Sequence, residues 1–174
     1  MYPEVMNGSD AKEIDLVLPT EEGQQTMFEF GTLLSIIERL HRRLLDVLKV
    51  ELERRLPARL NAVQALLLYN IGDSVLTAGE LRSRGHYLGS NVSYNLKKLV
   101  NLGFIDYARS PDDRRSVTVK LTEDGQIVRQ LVEEILLAQC QTLESEHWFG
   151  AAELGQVNDV LRGLERFWAG RLTP

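Results

Sequence analysis

Several hydrogen-bonding side chains lie close together at the start of an amphipathic segment that begins at Ser90. Helical spacing puts Ser90, Ser93, Tyr94 and Lys97 along one side of this segment, with Asn91 beside them. The opposite side is apolar and carries Val92, Leu96, Leu99 and Val100. Asn and Ser side chains bond base edges, and Tyr and Lys side chains reach bases or phosphates, so the segment is typical of a helix that enters the DNA major groove. The alternative is an ordinary solvated helix face with a Ser cap.

An arginine-tipped hairpin follows this segment. Two strands are predicted at residues 104–109 and 116–121, joined by the charged turn of residues 110–115. The guanidinium of Arg115 is a planar fork of donors that suits a narrow, electronegative minor groove, and Asp113 is placed to hold that fork. A helix followed by such a hairpin predicts a winged helix-turn-helix. The alternative is a solvated turn in which Asp and Arg compensate each other's charge.

The charge of the chain is unevenly distributed. The net charge of the 174 residues is −5, but residues 77–120 contain eight Lys/Arg and four Asp/Glu, so this segment is +4 and the remainder is −9. The positive charge lies on the part that would face phosphate, where each contact adds a salt-dependent increment to affinity. Phosphate contact and plain solvation are both open for Arg82, Arg84, Lys97, Lys98, Arg109, Arg114 and Lys120. For His86, at the turn before the segment that begins at Ser90, the alternatives are a phosphate contact and a structural role in the turn.

Apolar periodicity and capping residues predict six helices. A long amphipathic helix begins at Thr20 and ends before Pro57, and three shorter helices, the hairpin and two further helices follow. The local signals are capping boxes at Asn61–Gln64 and Thr77–Glu80, a left-handed cap at Gly103 and a helix N-cap at Thr122.

The predicted fold class is mainly α with a small β-wing, a winged helix-turn-helix dimerised through its N- and C-terminal helices. The long terminal helices carry apolar stripes that the small central part cannot fully cover, and a second copy of the chain is the economical cover. The predicted parts are a flexible N-terminal arm (1–20), a dimerisation helix (21–56), the DNA-binding domain (57–122) and C-terminal dimerisation helices (123–174).

Other classes of function match the sequence poorly. The longest apolar runs, 65–68 and 135–138, are too short to span a bilayer and no secretory signal is recognisable, so we expect a cytoplasmic protein. His and Cys residues lack metal-ligand spacing, and no cofactor is predicted. An enzyme is the weakest hypothesis, because no catalytic motif occurs. Cys140 lies on an apolar helix face between Leu136 and Leu143 and is expected to be buried, not redox-active.

Three segments carry a more specific pattern: residues 98–105 at the helix-to-strand junction, 111–116 at the wing and 121–125 after it. In this order and spacing they resemble the MarR family of bacterial transcription regulators. The resemblance implies a homodimer that binds pseudo-palindromic operator DNA, as a repressor or dual regulator that responds to a small ligand or an oxidant. It also implies that Asp113 braces Arg115 in the minor groove and that Ser116 completes the wing motif.

The resemblance bears on three further points. Many relatives carry Arg where this chain has Tyr94, so their base preference is not transferred. More loosely, residues 85–95 resemble an alphaproteobacterial subgroup that includes regulators of cell-wall L,D-transpeptidases. By analogy with the family, a cavity for a small apolar or aromatic effector would be lined by Ile37, His41, Leu44, Leu66, Tyr69 and Tyr107, for which simple core packing is the alternative.

A winged-helix protein-interaction module without specific DNA binding is the main rival hypothesis. Such a module would bind DNA only at the non-specific level. Changes at Asn91 or Arg115 would then be silent in a DNA-binding assay.

Overall fold

The computed structural model describes residues 20–56, 60–77, 80, 89–109 and 117–172, and at positions 89–93, 107, 109 and 117 it describes the backbone alone. Within these ranges five helices and three strands follow one another. They are α1 (Glu21–Arg55), α2 (Ala62–Ile71), β1 (Leu76–Thr77), α3 (Gly89–Asn101), β2 (Ile105–Arg109), β3 (Val117–Leu121), α4 (Glu123–Ser145) and α5 (Ala151–Leu172). Each of these helices was predicted from apolar periodicity, and α1 ends before Pro57 as expected.

Helix α1 contributes to two compact units, one that extends to Arg43 and one that begins at Leu44. The helix begins where Thr20 Oγ1 accepts a hydrogen bond from the Gly23 amide (3.2 Å), with two acidic residues in the first turn. In the described part of the first unit every side chain is exposed or half-buried. Large apolar side chains such as Met27 and Phe28 are therefore exposed in this described part of α1.

The core of the second unit forms around α2. Seven of the ten residues of this helix are buried, and α2 packs against α4 and β3. Helix α4 contributes Val128, Val132 and Ile135, which recur at steps of three and four and so form one apolar stripe. Leu48 and Leu52, near the end of α1, complete this core.

The sheet is antiparallel, with the strand order β1-β3-β2. Strands β2 and β3 form the predicted hairpin, in which Ile105 lies opposite Leu121 and Arg109 opposite Val117. Val119 and Leu121 are buried while Lys120 between them is exposed, so successive side chains of β3 point to opposite faces of the sheet. Strand β1 was not predicted, because its two residues are too few to show a period.

The turn between α3 and β2 connects α3 to the sheet and contacts the start of α4. Gly103 has φ +80°, which confirms the predicted left-handed cap, and the Phe104 amide donates to the Leu99 carbonyl (3.0 Å). Thr122, the N-cap of α4, donates from Oγ1 to the Gly103 carbonyl (2.7 Å) and from its amide to the Phe104 carbonyl (3.1 Å). Gly125, in the first turn of α4, lies so close to that Phe104 carbonyl that a Cβ would overlap its oxygen.

Cys140 is exposed, so the prediction that it is buried was wrong. The buried residues of α4 end at Ile135, and from Leu137 to Phe149 every side chain is exposed except the half-buried Leu143. The second half of α4 therefore extends past the core that covers its first half. Among the described residues, none buries the apolar face of this second half.

Replacement of Gly125 by Ala tests the close approach of α4 to the turn. We expect Gly125→Ala to lower the free energy of unfolding by about 1–3 kcal/mol, because the new Cβ meets backbone that cannot move aside. Gly155→Ala is the matched control, since nothing lies within 4 Å of a Cβ there. The control should be neutral or stabilising by up to about 1 kcal/mol. Urea unfolding measures both, and equal effects would contradict the packing described.

Candidate nucleic-acid interface

Helix α3 has one buried side and one exposed side. Leu96 and Leu99 are buried, and the helix packs against β2. Tyr94, Lys97 and Lys98 are exposed, and Tyr94 has 66% of its surface accessible. The helix contains no Asp or Glu, so its exposed side presents only neutral and positive groups. This is the chemistry that base edges and phosphates require.

A buried amide holds α3 against the start of α2. Gln64 is 1% exposed and belongs to the predicted capping box. Its backbone N–H donates to Asn61 Oδ1 (2.9 Å), and its side-chain Oε1 accepts from the Asn61 backbone N–H (3.1 Å). Its Nε2 also donates to Oδ1 of Asn95 on α3 (3.2 Å). The capping box was predictable from the sequence, whereas this second contact was not predicted. The available signal was one polar residue within the apolar run of α2.

The remaining predicted DNA contacts fall partly or wholly outside the described residues. Ser90, Asn91 and Ser93 lie in the first two turns of α3, where the structure describes the backbone alone. The wing residues Asp113, Arg114, Arg115 and Ser116 fall within the undescribed segment that joins β2 to β3.

The predicted helix after β1 also lies largely outside the described residues, including Arg82, Arg84 and His86. Its capping box is described: the Thr77 amide donates to a Glu80 carboxylate oxygen (2.8 Å), and the Glu80 amide donates to Thr77 Oγ1 (3.1 Å). This reciprocal pair confirms the predicted capping box.

The predicted effector residues are spread over the two units. Ile37 and His41 are exposed residues of α1 in the first unit. In the second unit Leu66 is buried in the core and Leu44 and Tyr69 pack against it, while the side chain of Tyr107 is undescribed. The effector site therefore stays a prediction.

A groove of about 530 Å³ lies within the second unit, between the end of α1 and the start of α2. It is lined by leucine side chains, by the capping-box residues Asn61 and Gln64, and by charged side chains of α1 together with Lys98 of α3. None of the described effector candidates lines it.

Among the residues described, no group of three or more His, Cys, Asp or Glu side chains is placed to hold a metal ion. None of the described helices is both long enough and apolar enough to cross a bilayer.

Part of the chain is similar in sequence to known proteins. Residues 60–116, from the start of α2 to the start of β3, match the sequence profile of the MarR family. The exopolysaccharide II synthesis transcriptional activator ExpG of Rhizobium meliloti (strain 1021) is 35% identical over 119 residues. That alignment covers 68% of this chain and 61% of ExpG, so the chain spans less than two thirds of this relative.

Solved structures with the same fold include two that contain DNA. FabT of Streptococcus pneumoniae, in complex with DNA, is similar with a TM-score of 0.63 and 18% identity, covering 81% of this chain and 98% of FabT. A mutant MarR of E. coli, complexed with operator DNA, has a TM-score of 0.60 and 22% identity, covering 78% and 95%. At these identities the similarity establishes the fold. The predicted fold class, a mainly helical winged helix with a small antiparallel sheet, is confirmed.

Substitutions on the two sides of α3 should affect stability very differently. Leu99 is fully buried, so Leu99→Ala should cost about 2–5 kcal/mol of unfolding free energy through a cavity. Tyr94→Ala, on the exposed side, should change it by no more than about 0.5 kcal/mol. Thermal and urea unfolding distinguish the two. A large loss for Tyr94→Ala would mean that this side of α3 is covered in the folded protein.

Proposed function

Since the chain belongs to the MarR family of transcription regulators, we propose that it binds double-stranded operator DNA as a homodimer through α3 and the wing. One observation carries the proposal. Residues 60–116 match the family, and this range includes α3, whose exposed side carries no Asp or Glu. In this proposal residues 57–122 form the DNA-binding domain, while 21–56 and 123–174 form the dimerisation parts.

Helix α3 would lie in the major groove. Its first turns carry Ser90, Asn91 and Ser93, whose short polar side chains suit hydrogen bonds to base edges. Tyr94 and Lys97 are exposed one turn further along, where a phenol can bond or pack against a base and an ammonium can reach phosphate. Lys98 would supply a further phosphate contact.

The wing would lie in the adjacent minor groove. Strands β2 and β3 are paired up to Arg109 and Val117, so the hairpin provides a stem for the segment that carries Arg114 and Arg115. Arg115 would insert into the groove with Asp113 as its brace, since a narrow minor groove concentrates negative potential that attracts Arg. Arg114 would contact phosphate.

Two copies would associate through the terminal helices. On α5 a continuous stripe of apolar side chains is exposed or half-buried in the single chain, formed by Leu154, Val157, Val160, Leu161, Leu164, Phe167 and Trp168. The opposite side of α5 carries Asp159, Arg162 and Arg166. A two-fold axis would bury the apolar stripe against its equivalent and place two copies of α3 on successive half-sites of an operator.

Repression and activation both follow from such a dimer. A dimer bound over a promoter would block RNA polymerase, whereas a dimer bound beside a promoter would present a surface to the polymerase. Whether the protein represses or activates therefore depends on where the operator lies. ExpG is named a transcriptional activator, which supports a dual regulator over an obligate repressor. A small apolar or aromatic effector, bound by the residues predicted above, would shift the dimer between states that differ in DNA affinity.

Fluorescence anisotropy on labelled DNA tests the proposal directly. The protein is titrated onto DNA from upstream of its own gene and onto a scrambled duplex, each at two salt concentrations. We expect tighter binding to the upstream DNA with a steep salt dependence. Equal, weak binding to both duplexes, repeated across upstream fragments of neighbouring genes, would favour the protein-interaction module.

Arg115→Ala tests the wing. We expect a loss of about 1–3 kcal/mol of operator binding and a shallower salt dependence, because a guanidinium leaves the minor groove. Arg162→Ala, which removes the same charge from α5, is the matched control and should leave both quantities unchanged. If the two variants bind alike, Arg115 has no special role.

Val160→Glu tests the dimer. Val160 is 63% exposed at the centre of the apolar stripe on α5, so a charge there should shift the protein from dimer to monomer at micromolar concentration. Arg166→Glu, on the opposite side, should leave the dimer intact. Sedimentation velocity measures both, and a wild-type monomer would contradict the homodimer itself.

A further inference from the structure

We propose that Gln64 is a positioning residue for DNA recognition, which sets the orientation of α3 through its hydrogen bond to Asn95. The proposal rests on the proposed function, because orientation matters only if α3 contacts bases. Gln64 itself would touch no DNA, since it is buried between α2 and α3.

The geometry of Gln64 uses both ends of its amide. Oε1 accepts the Asn61 amide at 3.1 Å, which fixes the oxygen end against the cap of α2. Nε2 therefore points the other way and donates to Asn95 Oδ1 at 3.2 Å. No buried side-chain N or O atom in the described part of the chain lacks a hydrogen-bond partner. One side chain thus ties the start of α2 to α3.

Asn95 is well placed to transmit this constraint. It follows Tyr94 directly and precedes Lys97 by two residues, so it lies beside the exposed side of α3, and it is half-buried. Leu96 and Leu99 hold α3 by packing, which is non-directional and tolerates small rotations. The hydrogen bond to Gln64 is directional and resists them.

Small rotations are enough to matter for base recognition. A side-chain atom about 5–6 Å from a helix axis moves by about 1 Å when the helix turns by about 10°. Hydrogen bonds to base edges need donor–acceptor distances of about 2.7–3.2 Å, so a shift of this size breaks them. Phosphate attraction falls off more slowly with distance and survives it. Loss of the Gln64 contact should therefore reduce discrimination between sequences more than overall affinity for DNA.

Gln64→Leu is the test, because it keeps the apolar bulk and removes the amide. The readout is the ratio of the dissociation constants for scrambled and operator DNA at one salt concentration. We expect this ratio to fall about tenfold, with affinity for scrambled DNA within about twofold of wild type, since one good base contact is worth about that factor. An unchanged ratio would overturn the proposal.

Asn61→Ala is the matched control. It removes the Asn61 Oδ1 acceptor of the capping box but leaves the Gln64 amide and its bond to Asn95 in place. Both variants should lower thermal stability, whereas only Gln64→Leu should lower the ratio. An equal fall in both would show that Gln64 acts through helix stability alone and would overturn the proposal.

A second pair of variants covers the case in which Gln64→Leu does not fold. Asn95→Ala should lower the ratio in the same way, and the exchange Q64N/N95Q, which keeps both amides and the combined side-chain length, should recover most of it. A failure of Asn95→Ala to lower the ratio would overturn the proposal. If wild-type protein fails to discriminate operator from scrambled DNA in any upstream region, the proposed function itself fails, which separates the two outcomes.

Discussion

The contact between the Phe104 carbonyl and the first turn of α4 is the constraint on which the second unit depends. The carbonyl accepts the Thr122 amide, and Gly125 lies against it where no side chain would fit. Thr122 Oγ1 meanwhile donates to the Gly103 carbonyl. The end of α3, the start of β2 and the start of α4 are therefore held together at one point.

Local signals predicted most of this arrangement. The caps at Asn61, Thr77 and Thr122 are formed by side chains within three residues of the groups they satisfy, so sequence spacing is sufficient to find them. The left-handed Gly103 is local in the same sense. Strand β1 is different, because it is a strand only through its pairing with β3 about forty residues away in sequence, which no local pattern encodes.

The errors and omissions concern burial and long-range contacts. An apolar periodicity shows which side of a helix avoids water, but it does not show how far along the helix a partner extends, and Cys140 lies beyond that point. The bond from Gln64 to Asn95 joins residues 31 positions apart. The polar side of α3 was predictable because the helical period alone determines which residues share a side. The apolar periodicity of α5 likewise shows which side avoids water, but it does not identify what covers that side.

The distribution of charge explains why orientation of α3 would matter so much in this protein. Residues 77–120 carry an excess of only four positive charges within a chain of net charge −5. At physiological salt, charges further than about 8 Å from the DNA are screened. The acidic residues outside 77–120 therefore weaken DNA binding only slightly, but they add nothing to non-specific affinity. A regulator with so small an electrostatic contribution must take more of its affinity from base contacts. Those contacts tolerate little displacement, so an amide buried between α2 and α3 has more influence on recognition than its distance from the DNA suggests.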